Sequence, residues 1–243
     1  MPNPTAAMLV IGDEILSGRT RDANMHHLAG ELTKVGIDLK EVRVVSDDPT
    51  AIVAAVNALR SAFDHLFTSG GIGPTHDDIT ADCIAAAFGV ENGVRDDARA
   101  VLQAHYDREG IELNAARLRM ARIPEGAALI DNPVSAAPGF TLGNVHVMAG
   151  VPRIFAAMLA GLLPSLQGGA PVISQTLRIE RAEGEIAGPL GAMAAAHPAL
   201  SFGSYPYQRD GRFGANVVIR GQDGDAVAAA ARDLVAALGG VPV

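Results

Sequence analysis

The chain has 243 residues, 49% of them apolar, enough for one large domain or for a medium and a small one with a sizeable core. Its 19 basic and 27 acidic residues give a net charge of −8, which argues against nucleic acid as the main partner, since neutralising phosphates takes clustered Lys and Arg. Its one cysteine, Cys83, leaves no internal disulfide, and there is no basic leader with an apolar stretch and no membrane-length apolar run. The expectation is a cytoplasmic protein with no membrane partner.

In chain order, Ala6–Ile11 predicts a buried first strand, with Gly12-Asp13-Glu14 at its C-terminal end, where open α/β sheets bind ligands. Met25, Leu28, Leu32 and Val35 are spaced for the buried face of a helix that Gly36 ends. Ile37–Val45 predicts a second strand. In Ser46-Asp47-Asp48-Pro49, Asp48 fits a helix N-cap and Pro49 the first helical position. Ile52, Val53, Val56 and Leu59 form the apolar stripe of that helix, and His65–Thr68 predicts a third strand. This alternation implies a mostly parallel sheet with helices on both faces, a three-layer α/β domain. The pairs Asp13/Glu14, Asp47/Asp48 and Asp77/Asp78 then fall on one edge of the sheet, where carboxylates distant in sequence share one crevice.

The third strand leads into Thr68-Ser69-Gly70-Gly71-Ile72-Gly73-Pro74-Thr75-His76-Asp77-Asp78-Ile79-Thr80, and Ala81–Phe88 behind it predicts a helix with Cys83 on its core face. A glycine-rich turn between strand and helix offers bare backbone N–H groups to an anion, and Gly70, Gly71 and Gly73 let it come close. Asp77 and Asp78 beside the pocket would repel a phosphate unless a divalent cation lay between, and Mg²⁺ is commonly held by one or two carboxylates plus substrate phosphates. The alternative is a tight turn in which Asp78 or Thr80 merely caps the helix. The stretch is neither a Walker A loop nor a dinucleotide-binding Gly-x-Gly-x-x-Gly.

Asp96–Arg108 predicts a helix stopped by Gly110, and Asn114–Ala121 another. Arg117, Arg119 and Arg122 cluster there, either paired with surface acids or reaching a phosphate. Ala127–Ile130, Phe140–Leu142 and Val145–Met148 predict strands, and Pro152–Leu163 a helix. Ser165–Pro171 reads as a linker, which divides the chain into domains 1–166 and 172–243. Beyond it come a strand at Val172–Ile179, a helix at Glu185–Ala195, strands at Leu200–Tyr205 and Phe213–Arg220 joined by a polar loop with Asp210-Gly211, and a helix at Asp225–Leu238: a small α+β domain. The histidines show no zinc-ligand spacing with cysteine.

Residues 69–80 resemble the signature of the molybdopterin-binding domain superfamily, which includes MoaB, Mog, a domain of MoeA, and CinA. Gly-Pro-Thr-x-Asp-Asp-x-Thr is most similar to CinA-type proteins, a competence- or damage-inducible class, and to the N-terminal domain of eukaryotic FAD synthases. Gly12-Asp13-Glu14-Ile15-Leu16-x-Gly18 with Asp22-x-Asn24 resembles the family's first signature. The segment ending Ala137-Pro138-Gly139-Phe140 resembles another, with Ser135-Ala136 where the family has Gly-Thr. The last domain resembles the KH-like domain of CinA, and the deamidase domain of full-length CinA is not expected in this chain. The resemblance implies ligand contacts at Gly12, Asp13, Asn24, Ser69, Gly70, Gly71, Gly73, Pro74, Thr75, Asp77, Thr80, Pro138 and Gly139. In Mog-type relatives the positions of Asp47 and Asp78 serve adenylyl transfer; with Glu14 these are the candidate catalytic residues, and the chemistry of the motifs has Asp78, with Asp47 or Glu14, hold the divalent metal. The activity implied is that of a pyrophosphatase on a nucleotide such as ADP-ribose or FAD. The alternatives are a protein that binds or adenylylates molybdopterin, and a non-catalytic sensor. A homo-oligomer is expected by analogy.

Overall fold

The structure is a computed structural model that describes residues 2–209 and 211–243. The chain divides into two compact units, the first ending at Gly169 and the second covering Ala170–Val243. The elements of the first unit are β1 (Thr5–Ile11), α1 (Asp13–Leu16), α2 (Asn24–Lys34), β2 (Asp38–Val45), α3 (Pro49–Ala62), β3 (His65–Ser69), α4 (Thr80–Phe88), β4 (Asn92–Val94), α5 (Asp96–Glu109), α6 (Ala115–Leu118), β5 (Arg122–Pro124), β6 (Ala128–Ile130), β7 (Gly139–Leu142), β8 (Val145–Met148) and α7 (Pro152–Leu162).

Six strands form one sheet in the order β2-β1-β3-β8-β7-β6. The first four run parallel, and β7 is antiparallel to both its neighbours. β1 is an interior strand, flanked by β2 and β3, and Ala6–Ile11 is apolar and buried at every position, the pattern of a strand covered on both faces. Its alternation feeds two cores. Ala7, Leu9 and Ile11 pack with Ile52, Val56 and Leu59 of α3 and Ile84 of α4. Ala6, Met8 and Val10 pack with Leu28 and Leu32 of α2 and Phe155, Met158 and Leu159 of α7. These are the three expected layers. Asp48 caps α3 as its position requires, its Oδ1 accepting from Ala51 N–H at 2.8 Å, with Pro49 at the first position.

Strand order 2-1-3 reverses direction between β1 and β3. Such a reversal opens a crevice at the C-terminal edge of a parallel sheet, where ligands bind. The loops after β1, β2 and β3 all emerge at that edge.

Three features depart from the sequence reading. Met25 is 42% exposed although Leu28 and Leu32, on the same expected stripe, are fully buried. The stripe starts one turn late because the first turn of α2 is committed to the loops at the sheet edge, as Asn24 shows below. The two-stranded ribbon of β4 and β5 was not anticipated. Gly168 and Gly169, placed in the linker, are held by the first unit: Gly169 N–H points to Val35 O and Gly36 O, both at 3.1 Å, and a β-carbon at Gly168 would overlap Val35 O.

The second unit comprises β9 (Ile173–Ile179), α8 (Glu183–Ala196), β10 (Ser201–Arg209), β11 (Arg212–Gly221), α9 (Gly224–Leu238) and β12 (Val241–Pro242). Its sheet, β10-β11-β9-β12, is antiparallel throughout, and β12 was not expected from the sequence. Leu177, Ile179, Val217 and Ile219 pack under Val227, Ala230, Leu234 and Leu238 of α9, giving a small α+β domain with its own core. Gly221 and Gly224 flank Asp223, whose Oδ1 accepts from the N–H groups of Asp225 and Ala226, so this turn is a helix cap. Asp210 of the polar loop lies outside the described residues. Among the described residues no helix is long and apolar enough to cross a membrane.

Candidate functional site

The ends of three strands meet at Gly70. Its N–H donates to Met148 O at the end of β8 (3.2 Å), and its φ is +109°. A β-carbon there would overlap Ile11 O at the end of β1, while one on Gly150 would come within 3.3 Å of the Gly70 α-carbon. Only a bare backbone fits that wedge. On the other side, Gly12 N–H donates to Val45 O at 3.1 Å and Asp13 N–H to Asp47 Oδ2 at 2.9 Å. The first two acidic clusters are thus locked together by a backbone-to-carboxylate bond at the end of β1 and β2.

The glycine loop is fixed from both ends. Thr80 Oγ1 donates to Gly70 O (2.9 Å), and Thr80 N–H to Gly71 O (3.0 Å). Asp78 Oδ2 accepts from both Thr75 N–H (2.8 Å) and Thr75 Oγ1 (2.6 Å), closing a turn over residues 75–78. The same carboxylate folds against Gly73, where a β-carbon would lie 2.6 Å from Asp78 Oδ2. Neither Asp78 nor Thr80 caps α4: its N-cap position is Ile79, with no side-chain bond. The loop has therefore kept these polar groups for itself. Among the described residues the N–H groups of Gly71, Ile72 and Gly73 donate to no group of the chain, and all three residues are half-buried rather than sunk in the core. Three successive free donors on a tight glycine turn are the backbone form of an anion site.

Several residues expected at the ligand stand behind the loop. Asn24 is 3% exposed, and its Nδ2 donates to Ser69 Oγ and to Gly150 O, both at 2.7 Å, tying α2 to the ends of β3 and β8. Ser69 and Thr80 are 2% and 0% exposed. Pro138 and Gly139 are buried, and a β-carbon at Gly139 would overlap Val147 O, so the glycine answers to sheet packing. These residues position the site. Pro74, Thr75, His76 and Asp77 are exposed at its rim. The sequence reading missed Asn132, 3% exposed, which knots the segment 132–137. Its Oδ1 accepts from Val134 and Ser135 N–H, and its Nδ2 donates to Ser135 Oγ and Ala137 O. The Asn132-Pro133 pair was the available signal, since Asn before Pro favours a turn.

The carboxylates differ in what they have left to offer. Among the described residues Asp47 and Asp78 each keep Oδ1 free of donors, and the Glu14 carboxylate, which fills the space a β-carbon on Gly12 would take, accepts no hydrogen bond. Asp48 is consumed by its cap. Asp77 is held below the usual carboxylate range, first by the neighbouring Thr75 hydroxyl and least by His76, whose Nδ1 is 3.8 Å away. Among the described residues no three His, Cys, Asp or Glu side chains are grouped so as to hold a metal by themselves. Two monodentate carboxylates suit a hard cation that completes its shell with phosphate oxygens and water. Cys83 is 3% exposed and its thiol is pushed up to about 11, chiefly by burial, so it is a core residue.

The three neighbouring arginines have different fates. Arg122 grips Asp82 with two bonds, at 2.9 and 2.6 Å. Arg117 lies 5.1 Å over the Tyr106 ring and donates to Glu112 O. Arg119 reaches the site, its Nη2 at 3.4 Å from Asp78 O. A cavity of about 540 Å³ lies elsewhere, beside the β4–β5 ribbon, lined by Glu91, Arg95, Ile123 and Glu125 among others. It contains none of the predicted site residues.

A six-stranded three-layer fold with a glycine anion loop at its switch point defines a class, and comparison agrees. Residues 7–168 match the family described as "Probable molybdopterin binding domain", and residues 171–241 match "FAD synthase, middle domain". The chain belongs to the molybdopterin-binding domain family, the superfamily of MoaB and Mog, and within it is CinA-like. It is similar to the crystal structure titled "The crystal structure of the protein CinA with unknown function from Thermoplasma acidophilum", with 33% identity and a TM-score of 0.62 over 67% of this chain and 97% of that one. It is 38% identical to a "CinA-like protein" of Citrifermentans bemidjiense, over 67% of this chain and 40% of the relative. A "Probable FAD synthase" of Caenorhabditis elegans is 31% identical over 96% of this chain and 50% of its own length. The chain spans between 32% and 66% of the length of the curated relatives it matches.

Proposed function

We propose that the Gly70–Thr75 loop binds a phosphate group of a nucleotide or pterin ligand, and that the protein is a divalent-metal-dependent nucleotide pyrophosphatase of the ADP-ribose or FAD class. The observation that carries the reading is the run of three donors without acceptors, Gly71, Ile72 and Gly73, at the switch point of the sheet. The loop N–H groups bind the non-bridging oxygens of one phosphate and take the charge that grows on them as water attacks the phosphorus. Asp47 and Asp78 are the residues that would hold the cation, which supplies neutralisation of the bridging oxygen and a more acidic bound water. Glu14, free of hydrogen bonds, accepts the proton of the attacking water. The new bond runs from the water oxygen to phosphorus, the bridging P–O bond breaks, and two phosphate monoesters leave.

A second reading is favoured by the family described for residues 7–168: the same loop binds molybdopterin, or carries its adenylylation, without hydrolysis. Incubating the chain with ADP-ribose, FAD, NAD or molybdopterin, each with Mg²⁺, Mn²⁺ or Co²⁺, separates the two. Metal-dependent cleavage of ADP-ribose or FAD supports the first. Tight molybdopterin binding with no nucleotide cleavage supports the second, and no binding of any of the four overturns both.

A further inference from the structure

We propose that Arg119 holds the second phosphate of the ligand, so that the site selects ligands bearing two linked phosphates over those bearing one. The inference rests on the anion loop described above. The stretch 117–122 carries three arginines in an acidic chain, and the structure sorts them. Arg122 is satisfied by the fork on Asp82 and Arg117 by a ring and a carbonyl. Arg119 has no carboxylate within ion-pair distance among the described residues, and its Nε is buried with no hydrogen-bond partner. A guanidinium carries five N–H donors, and the chain engages one, weakly, at 3.4 Å. A buried, unpaired donor on a charged group is costly, and an incoming anion removes that cost.

The place of the guanidinium decides which anion. It rests on the carbonyl of Asp78, the residue whose carboxylate is folded onto Gly73 and Thr75. Asp78 thus touches the guanidinium with its carbonyl and the glycine loop with its carboxylate. The three free N–H groups of the loop suit one phosphate group. A guanidinium on the other side of Asp78, able to fork onto two oxygens, suits the phosphate linked to it. It also offsets the negative field of Asp77 and Asp78, which otherwise disfavours a dianionic second group.

The test uses the full chain with Mg²⁺ and two probes, α,β-methylene ADP, which has two phosphorus groups and resists cleavage, and AMP. Calorimetry gives the affinity of each for wild type, Arg119→Ala and Arg119→Lys, and thermal melts verify that the variants fold. Arg119→Ala should weaken α,β-methylene ADP roughly 10- to 100-fold, the scale of hydrogen bonds to a charged group, and leave AMP within about threefold. Arg119→Lys should fall between, since it keeps the charge and loses the fork. Equal losses for both probes mean a structural role and overturn the inference, as does an unchanged affinity for both. A wild-type protein that binds neither probe overturns the nucleotide reading of the loop, on which the inference rests.

Discussion

Gly71 is a loop position where a single added carbon would meet a side chain, Thr80, rather than fixed backbone. Its φ is +68°, a region that costs an alanine about 1–2 kcal/mol. The added β-carbon would also overlap Thr80 Oγ1, a fully buried hydroxyl that donates to Gly70 O. Thr80 must then swing away and lose that bond, about 1 kcal/mol net and more for the buried carbonyl left unpaired. Gly71→Ala should therefore cost about 3 kcal/mol. Thr80→Ala alone should cost about 1.5 kcal/mol, from the lost bond. In the double variant the overlap is gone, because the next nearest atom of Thr80, its β-carbon, is 3.3 Å from the added carbon. The double variant should then cost about 3 kcal/mol in all, some 1.5 kcal/mol less than the sum of the singles. Urea unfolding of the four proteins, read by circular dichroism, measures the coupling. Additivity within about 0.5 kcal/mol would refute the claim that Thr80 walls the loop at Gly71.

Further outcomes follow from other residues. Asp47→Asn and Asp78→Asn should each lower metal-dependent turnover by ~10²-fold, whereas Asp48→Asn, in a cap where Asn serves nearly as well, should leave it unchanged; similar behaviour of Asp47→Asn and Asp48→Asn would sink the metal assignment. Ala136 is the one non-glycine residue with positive φ among the described residues, at 60°, so Ala136→Gly should raise stability by about 0.5 kcal/mol and shift the urea midpoint upward. His146, with Nε2 3.2 Å from His65 Nδ1 and Nδ1 3.0 Å from Thr141 Oγ1, is pushed down to about 4, first by burial and then by His65, which burial also lowers and Asp64 partly restores. The unfolded chain takes up this proton below its ordinary pKa of 6.5 while the folded chain does not until about 4, so stability is full above pH 6.5 and falls between 6.5 and 4. At pH 5 the loss from this group is about 2 kcal/mol, and stability measured against pH should be that much flatter in His146→Asn.

What the sequence made legible was local. Asp48-Pro49 names a helix start because cap and helix are adjacent, and the structure shows that cap. Residues 68–80 announce a strand, a glycine turn and a helix in one continuous run, and the uninterrupted apolar run at Ala6–Ile11 marks a strand covered on both faces. Roles set by distant partners were not legible. Asn24 is a brace because Ser69, 45 residues away, and Gly150, 126 residues away, converge on its amide. Arg119 and Arg122 look alike in sequence, and only the approach of Asp82 to Arg122 separates them. Met25 fits the helical period as well as Leu28 does, yet it lies beyond the edge of the layer it would have joined. Periodicity reports which residues share a face and is silent on how far the opposing layer extends.

The account turns on the free N–H groups of the glycine loop. Backbone amide NMR of the full chain, titrated with α,β-methylene ADP in the presence of Mg²⁺, observes them one by one. The account predicts that the signals of Gly71, Ile72 and Gly73 shift furthest and saturate together, and that the Gly70 amide, already bonded to Met148 O, moves less. Saturable binding that leaves those three signals in place while amides elsewhere shift would contradict it.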